Sequence, residues 1–200
     1  IDELNDAQKA PVLHKDGPLM VIAGAGSGKT RVLTYRIAYL MAQGVDSFNI
    51  LALTFTNKAA REMKERIAHI VGASEAKNLW MGTFHSVFAK LLRIDGDKLG
   101  YPANFTIYAM AKKPRTGDIY ENYVDRCFKA GAMDFDDLLL RTNELLTRYP
   151  DVLMKYQNRF RYILVDEYQD TNHSQYLIVK ALADRFQNIC VVGDDAPKSN

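Results

Sequence analysis

The sequence is poor in cysteine and has no long apolar run. Its two cysteines, Cys127 and Cys190, lie far apart without the spacing of a metal site. A disulfide or zinc framework is therefore not expected. No apolar stretch approaches the roughly 20 residues that a membrane span requires, and nothing resembling a signal peptide opens the chain. These absences favour a reducing, cytoplasmic setting and no membrane partner.

A strong charge of one sign is also missing. The 26 Lys and Arg residues nearly balance the 24 Asp and Glu residues, which leaves a net charge of +2. Any nucleic-acid surface must therefore be local. The length of 200 residues, with 48% hydrophobic and 25% charged residues, is typical of a globular chain with one core. We find no internal repeat, low-complexity segment or long linker.

A glycine-rich loop follows a predicted strand and precedes a predicted helix. It reads Ala23-Gly24-Ala25-Gly26-Ser27-Gly28-Lys29-Thr30, with the apolar run 19–22 before it. Such glycines let backbone N–H groups surround an anion, while Lys29 would reach the β- and γ-phosphates and Thr30 would hold Mg²⁺. The alternative is a plain glycine turn, which the Gly-Lys-Thr ending disfavours. The loop predicts a nucleoside triphosphate site.

A carboxylate pair ends another predicted strand. The apolar run 162–165 leads directly into Asp166 and Glu167. Asp166 would hold Mg²⁺, and Glu167 would orient and deprotonate an attacking water. Such a pair could merely be solvated. Because a phosphate loop precedes it at a spacing that suits a later strand of the same sheet, we favour the catalytic interpretation.

Two further predicted strands end in polar-aromatic turns. The run 50–55 leads into Phe55-Thr56-Asn57, and the run 79–83 leads into Phe84-His85-Ser86. Ligands of open α/β sheets lie at the carboxyl ends of strands, where rings can stack on bases and polar groups can contact phosphates. Alternatively, Phe55 and Phe84 are core residues and His85 is a helix cap. Both interpretations stay open here.

Helical patterns alternate with these strands along the chain. A first helix, capped by Asn5 or Asp6, runs toward His14, and its Gln8 is either a surface residue or a partner for an adenine edge. Further helices are predicted over 58–70, 84–92, 118–129, 135–148, 152–160 and 173–186, and a last strand begins at 189. The stretch 105–108 shows no periodicity. This alternation predicts an α/β fold.

Taken together, these stretches resemble the first RecA-like motor domain of superfamily 1A DNA helicases, the UvrD/PcrA/Rep group. The matching stretches, in family order, are 4–8, 23–30, 53–60, 82–86, 134–139 and 165–172. The resemblance implies a RecA-like P-loop NTPase domain over 1–196, a mainly parallel sheet with helices on both faces. It also implies an ATP-dependent 3′–5′ DNA helicase or translocase, in which ATP hydrolysis drives movement on single-stranded DNA.

The resemblance also implies roles for individual residues. Gln8 would read adenine, Glu167 would activate water, and Gln169 would link the nucleotide site to the other motor domain. The remaining ATP contacts would be Gly26, Ser27, Gly28, Lys29, Thr30 and Arg31. Thr30 and Asp166 would hold Mg²⁺. The single-stranded DNA track would include Phe55, Thr56, Asn57, Phe84 and His85.

The chain departs from the family at two places. Between about 108 and 118 the family carries a helical insertion, the 1B subdomain, which is missing here. After Ala196 the family continues with Gln-Ser-Ile-Tyr, whereas residues 197–200 read Pro-Lys-Ser-Asn and do not match. We therefore expect a fragment that hydrolyses ATP weakly and does not unwind DNA. Its partners in the parent would be a second RecA-like domain, single-stranded DNA, and junctions of single- and double-stranded DNA.

Two other classes of protein share parts of this pattern. A nucleotide-dependent interaction module would bind ATP and switch partners without moving on DNA. A small-molecule kinase would share the glycine loop, but Gln169-Asp170 after the carboxylates and the lack of a second-substrate lid disfavour it. Stimulation of ATP hydrolysis by DNA would separate a helicase from both.

Overall fold

The structure is a computed structural model that describes residues 3–24, 26, 28–108 and 117–194, with side chains from 123 onward in the last range. The chain divides into two compact units. The first unit is Ile1–Phe84 with Met154–Asn200, and the second unit is His85–Leu153. The sequence predicted one domain over 1–196, and that extent stays a prediction.

Strands and helices alternate through the described residues. The strands are β1 Leu19–Ile22, β2 Ile50–Thr54, β3 Trp80–Thr83, β4 Thr106–Tyr108, β5 Ala132–Asp134, β6 Tyr162–Val165 and β7 Ile189–Gly193. The helices are α1 Asp6–Leu13, α2 Lys29–Ala42, α3 Asn57–Val71, α4 Ala73–Ala76, α5 Phe84–Asp95, α6 Gly117–Lys129, α7 Phe135–Arg148, α8 Pro150–Arg159 and α9 His173–Ala183. None of the described helices is long and apolar enough to cross a membrane.

The first unit is built on a five-stranded sheet in the order β1-β7-β6-β2-β3, in which every pairing is parallel. The connections from β1 to β2 and from β2 to β3 run toward the β3 edge, whereas the connection from β6 to β7 runs back. Because such crossovers are right-handed, α2 and α3 lie on one face and α9 on the other. The predicted parallel sheet with helices on both faces is confirmed.

The inner strands of this sheet are apolar because both of their faces are covered. All residues of β2 and β6 are buried, whereas Met20 and Ile22 of the edge strand β1 are 60% and 57% exposed. Parallel strands between two helical layers need such unbroken apolar runs. The main core cluster includes Leu33, Ile37, Leu40, Ile50, Met63, Ile67, Leu164 and Val192.

The second unit contains two strands that the sequence did not predict. β4 and β5 pair in parallel, with Ile107 opposite Met133. Each has only three residues, too few to show alternation in the sequence. Asp134, the last residue of β5, forms a reciprocal capping box with Asp137 that starts α7. Pro150 is the first residue of α8, where its missing N–H costs nothing.

A buried arginine ties α1 to α2 in the first unit. Arg36 is 1% exposed and donates to the backbone carbonyls of Pro11 at 2.8 Å, of Lys15 at 3.2 Å, and of His14. Burial lowers the pKa of Arg36 from its ordinary value. The guanidinium thereby satisfies carbonyls at the carboxyl end of α1, where a cation also suits the helix dipole.

Replacing Arg36 should therefore destabilise the chain. In Arg36→Met the apolar stem is kept but the carbonyls lose their donors, so we expect a loss of about 1–3 kcal/mol in the free energy of unfolding. Urea denaturation measures this loss. As a control, Arg61→Met on the exposed face of α3 should change stability by less than about 0.5 kcal/mol. Equal stability of the two variants would contradict the anchoring role of Arg36.

Candidate functional site

Three strand ends meet at one edge of the sheet in the first unit. β7 lies between β1 and β6, and all three strands are parallel, so their carboxyl ends point the same way. β1 leads into the glycine loop, β6 into Asp166 and Glu167, and β7 into Asp194. The N–H of Ala23 donates to the carbonyl of Gly193 at 3.1 Å. The sheet thus joins the segments that the sequence singled out.

The glycine loop turns sharply into α2. Gly26 and Gly28 have φ angles of 76° and 83°, in the left-handed region where a side chain is strained. A Cβ at Gly28 would also lie 2.8 Å from Nε2 of Gln8. Glycine at 28 therefore lets α1 approach the loop. Ala25 and Ser27 lie outside the described residues, so the role of Ser27 stays a prediction.

The Lys29 ammonium is buried and held by oxygen atoms. Lys29 is 7% exposed, and its Nζ donates to the carbonyls of Ala23 at 3.1 Å and Gly24 at 3.4 Å. It also forms an ion pair with the carboxylate of Asp194. A buried ammonium requires such partners, and a phosphate oxygen offers the same type of acceptor.

A hydroxyl and a carboxylate lie side by side at the start of α2. Thr30 Oγ1 donates to Asp166 Oδ2 at 3.2 Å, and Asp166 is 3% exposed. Burial, and next the charge of Glu167, raise the pKa of Asp166 above its ordinary value. A divalent cation would offset that cost, so these oxygens fit Mg²⁺.

No set of three or more His, Cys, Asp or Glu side chains that could hold a metal alone occurs within the described ranges. Mg²⁺ commonly takes only one or two protein ligands and completes its shell with substrate phosphates and water. The pair formed by Thr30 and Asp166 meets that requirement.

Glu167 leaves the strand with a left-handed backbone. Its φ and ψ angles are 48° and 46°, and the 3-10 turn Tyr168–Asp170 follows directly. Gln169 Nε2 donates to Glu167 Oε2 at 2.5 Å, and Gln169 Oε1 accepts from the N–H of Asp194 at 3.1 Å. A non-glycine residue in this region costs about 1–3 kcal/mol and is typical of functional sites.

The glycine loop, the start of α2, Glu167 and Asp194 line a cleft of about 410 Å³. Its lining consists of Gly26, Gly28, Lys29, Thr30, Arg31, Arg66, Glu167 and Asp194. A larger cleft of about 750 Å³ between α2 and α3 shares Arg31 and Arg66 with it. The sequence did not single out Arg66 or Asp194, although Asp194 directly follows an apolar strand, which is the signal that could have indicated it.

Gln8 and Arg31 both lie close to the start of α2. Gln8 closes a capping box with Asn5 at the start of α1. Arg31 Nη2 pairs with Glu3 Oε2 at 2.7 Å, and the Tyr35 hydroxyl donates to the same oxygen at 2.8 Å. These bonds, from Tyr35 first and then Arg31, lower the pKa of Glu3. Both predicted residues are therefore next to the glycine loop.

The aromatic turn after β2 lies at the same edge of the sheet, beyond β6. Phe55 is half-buried, and Thr56 and Asn57 are exposed, with Thr56 Oγ1 capping α3 through the N–H of Ala59 at 3.1 Å. Phe84, after the neighbouring strand β3, is 1% exposed, and its ring centroid lies 5.2 Å from that of Phe55. So enclosed, the Phe84 ring supports Phe55, as in the core interpretation, and offers no face to a base.

In the second unit, His85 packs against an exposed aromatic ring. The ring centroids of His85 and Phe135 lie 5.1 Å apart in an edge-to-face arrangement, and Phe135 is 46% exposed. Burial lowers the pKa of His85, and the smaller effect of Asp136 opposes that shift. Sequence reasoning missed Phe135, although it lies in the matched stretch 134–139.

The parallel sheet, the glycine loop and the carboxylate pair define the class of RecA-like P-loop domains. The family model described as "UvrD/REP helicase N-terminal domain" matches residues 4–114 and 109–196. The chain belongs to this family.

Proteins with similar sequences support the same family assignment. The chain is 44% identical over 241 residues to the ATP-dependent DNA helicase PcrA of Bacillus subtilis (strain 168), covering 96% of this chain and 32% of that protein. It is 42% identical to PcrA of Staphylococcus aureus (strain Mu50), with 97% and 33% covered, and 41% identical to PcrA of Staphylococcus epidermidis, with the same coverage. The chain thus spans about a third of the length of these relatives.

The lowered pKa of His85 predicts a pH-dependent stability. In the unfolded chain His85 gains a proton near pH 6.5, whereas in the folded chain it does so only at a lower pH. The free energy of unfolding therefore decreases as pH falls below about 6.5. His85→Phe keeps an aromatic contact and should lose less stability between pH 7.5 and pH 5. Denaturant unfolding at several pH values measures this, with exposed His69→Phe as the control. Parallel curves for the wild-type chain and His85→Phe would contradict the prediction.

Proposed function

We propose that this chain is the ATP-binding motor domain of an ATP-dependent 3′–5′ DNA helicase or translocase. The observation that carries the proposal is that Lys29, Thr30 and Glu167, from two distant segments, line one cleft beside the buried Asp166. The relatives named above are ATP-dependent DNA helicases, which supports DNA as the substrate. Because the chain spans only about a third of these proteins, unwinding belongs to the longer protein.

The start of α2 supplies the phosphate site. Backbone N–H groups at a helix N-terminus and the Lys29 ammonium favour a polyphosphate, and phosphate oxygens can replace Asp194 as partners of that ammonium. Thr30 and Asp166 would hold Mg²⁺ together with phosphate oxygens. Bound there, Mg²⁺ would neutralise charge on the phosphates during transfer.

We infer that Glu167 takes the proton of the attacking water. Glu167 lines the cleft with Lys29, and Gln169 contacts its Oε2. A carboxylate in this position orients the attacking water and accepts its proton. The adenosine part would extend toward Arg31, which lines both clefts, with Gln8 at the adenine edge.

Lys29→Ala should weaken binding of Mg²⁺·ATP by about 1.5–3 kcal/mol, because charge-assisted hydrogen bonds to the phosphates are lost. Titration calorimetry with a non-hydrolysable ATP analogue measures this. Lys77→Ala, which changes an exposed lysine outside the cleft, is the control and should bind normally. Equal affinity of the two variants would remove Lys29 from the phosphate site.

Glu167→Gln should separate turnover from binding. The amide keeps the shape of the side chain but cannot take a proton near neutral pH, so ATP affinity should persist while hydrolysis falls by about 10²–10⁴-fold. Phosphate release with and without single-stranded DNA measures this in the full-length protein. Normal hydrolysis by Glu167→Gln would exclude it as the general base. If the unchanged full-length protein hydrolysed ATP without stimulation by DNA, that result would favour a nucleotide-dependent module or a kinase.

The residues after β2 are the best placed for DNA in the first unit. Phe55 can stack on a base, while Thr56 and Asn57 at the N-terminus of α3 can contact a phosphate. In the second unit, the exposed Phe135 ring beside His85 offers another apolar face. We propose single-stranded DNA, and junctions with duplex DNA, as the partners of these surfaces.

Phe55 and Phe84 provide a matched pair of variants, since their rings touch but differ in exposure. Phe55→Ala should weaken single-stranded DNA binding by about 1–3 kcal/mol and leave ATP affinity unchanged. Phe84→Ala should instead cost about 3–5 kcal/mol of stability. Fluorescence titration with labelled DNA and thermal melting measure the two effects. If Phe55→Ala bound DNA normally and melted early, both rings would be core residues.

The relatives contain residues that have no counterpart here, since their alignments extend over 241 or more positions against 200 in this chain. The family model also matches in two segments that meet within 109–114. We propose that the 1B insertion belongs at that position and that a second RecA-like domain completes the motor. Gln169 would then stand where the two motor domains communicate, since it contacts both Glu167 and the end of β7.

A further inference from the structure

A single side-chain amide connects the carboxylate that lines the cleft to the end of β7. Gln169 Nε2 donates to Glu167 Oε2 at 2.5 Å, and Gln169 Oε1 accepts from the N–H of Asp194 at 3.1 Å. Asp194 Oδ2 lies 3.5 Å from the same Nε2. Both ends of the amide therefore have partners within the first unit.

The orientation of this amide is dictated by its partners. A backbone N–H can only donate, and an ionised carboxylate can only accept. The oxygen of Gln169 must therefore face Asp194, and its nitrogen must face Glu167. A glutamate at 169 could still accept from Asp194, but it would place a second carboxylate against Glu167.

The backbone around Gln169 is shaped to admit the amide. A Cβ at Gly193 would lie 2.8 Å from Gln169 Oε1, closer than Cβ atoms approach other heavy atoms in proteins. Gly193 does not have a positive φ angle. An alanine at 193 would therefore meet a steric conflict but no backbone strain. Glycine at 193 thus leaves the space that the amide occupies.

Within the described residues, the bond from Gln169 to Oε2 is the contact that holds the Glu167 side chain. Glu167 therefore needs this restraint. Its backbone leaves β6 in a left-handed conformation, and its side chain makes no cap bond to the turn that follows. Gln169 itself is not among the residues that line the cleft. Its amide contacts Glu167 and the end of β7, so any effect on the reaction would act through Glu167.

We propose that Gln169 is a positioning residue that holds the Glu167 carboxylate in place for proton transfer, with Gly193 providing the space for its amide. The inference rests on the proposed role of Glu167 in ATP hydrolysis. A displacement of about 1 Å in a catalytic group can cost 10²-fold in rate, so the amide should affect turnover more than binding. This role is separate from a link to the second motor domain.

The first test compares three changes at 169 in the full-length protein. Gln169→Met keeps the volume and removes both hydrogen bonds, and kcat for ATP hydrolysis should fall by about 10–100-fold with KM within about twofold. Gln169→Glu should be at least as impaired, because it adds a like charge. Gln157→Met, which removes a half-buried amide bonded to the Ala181 carbonyl, is the matched control and should keep normal kcat.

The second test uses Gly193 to move the amide without changing it. Gly193→Ala should lower kcat to a similar extent, since its methyl group displaces Gln169 Oε1. In a Gln169→Ala background the steric conflict is gone, so adding Gly193→Ala should cause no further loss. Additive losses in this double-mutant cycle would contradict the proposal. Melting temperatures of all variants separate this effect from misfolding.

Hydrolysis with and without single-stranded DNA distinguishes positioning from communication between domains. Positioning predicts that Gln169→Met lowers basal kcat as well as DNA-stimulated kcat, because Glu167 serves both. Loss of stimulation alone, with normal basal turnover, would overturn the proposal in favour of a link between domains. Glu167→Gln is measured in parallel: if it loses turnover while Gln169→Met does not, only this inference fails. If Glu167→Gln is fully active, the proposed function fails as well.

Discussion

The parallel pairing of β7 with both β1 and β6 is the constraint on which the site depends. Ile22 lies opposite Gly193, and Val165 lies opposite Val191, so the glycine loop, the carboxylate pair and Asp194 leave the sheet at one edge. A slip of one residue would reverse the faces of a strand and separate these groups. The close packing of the buried side chains against both helical layers opposes such a slip, so core packing also sets the site geometry.

Buried charge gives this edge its chemical character. Lys29 and Asp166 are each less than a tenth exposed, and each is held by oxygen or hydroxyl groups of neighbouring segments. Such groups are costly without partners, which means that a polyphosphate with a divalent cation would find its counter-charges already in place. The strained backbone of Glu167 belongs to the same arrangement, because the sheet and Gln169 together hold it.

The sheet also separates two kinds of surface along one edge. The ends of β1, β7 and β6 carry the residues proposed for phosphate binding, whereas the ends of β2 and β3 carry aromatic rings and the start of α3. The surfaces proposed for ATP and for DNA therefore lie at the ends of neighbouring strands of one sheet. In the second unit, the exposed Phe135 beside His85 extends the set of aromatic residues that the proposal assigns to DNA.

The sequence by itself determined the helices and strands with clear periodicity, the α/β class, and the glycine loop and carboxylates, because each of these patterns is local. It missed β4 and β5, which are too short to show a period. Only the tertiary structure decided that Phe84 is enclosed and that Asp194 pairs with Lys29. It also decided that Gln169 joins Glu167 to β7. Apart from the bond between Gln169 and Glu167, which are two residues apart, those contacts join residues far apart in the chain. Strand order and register, which no local pattern records, bring them together.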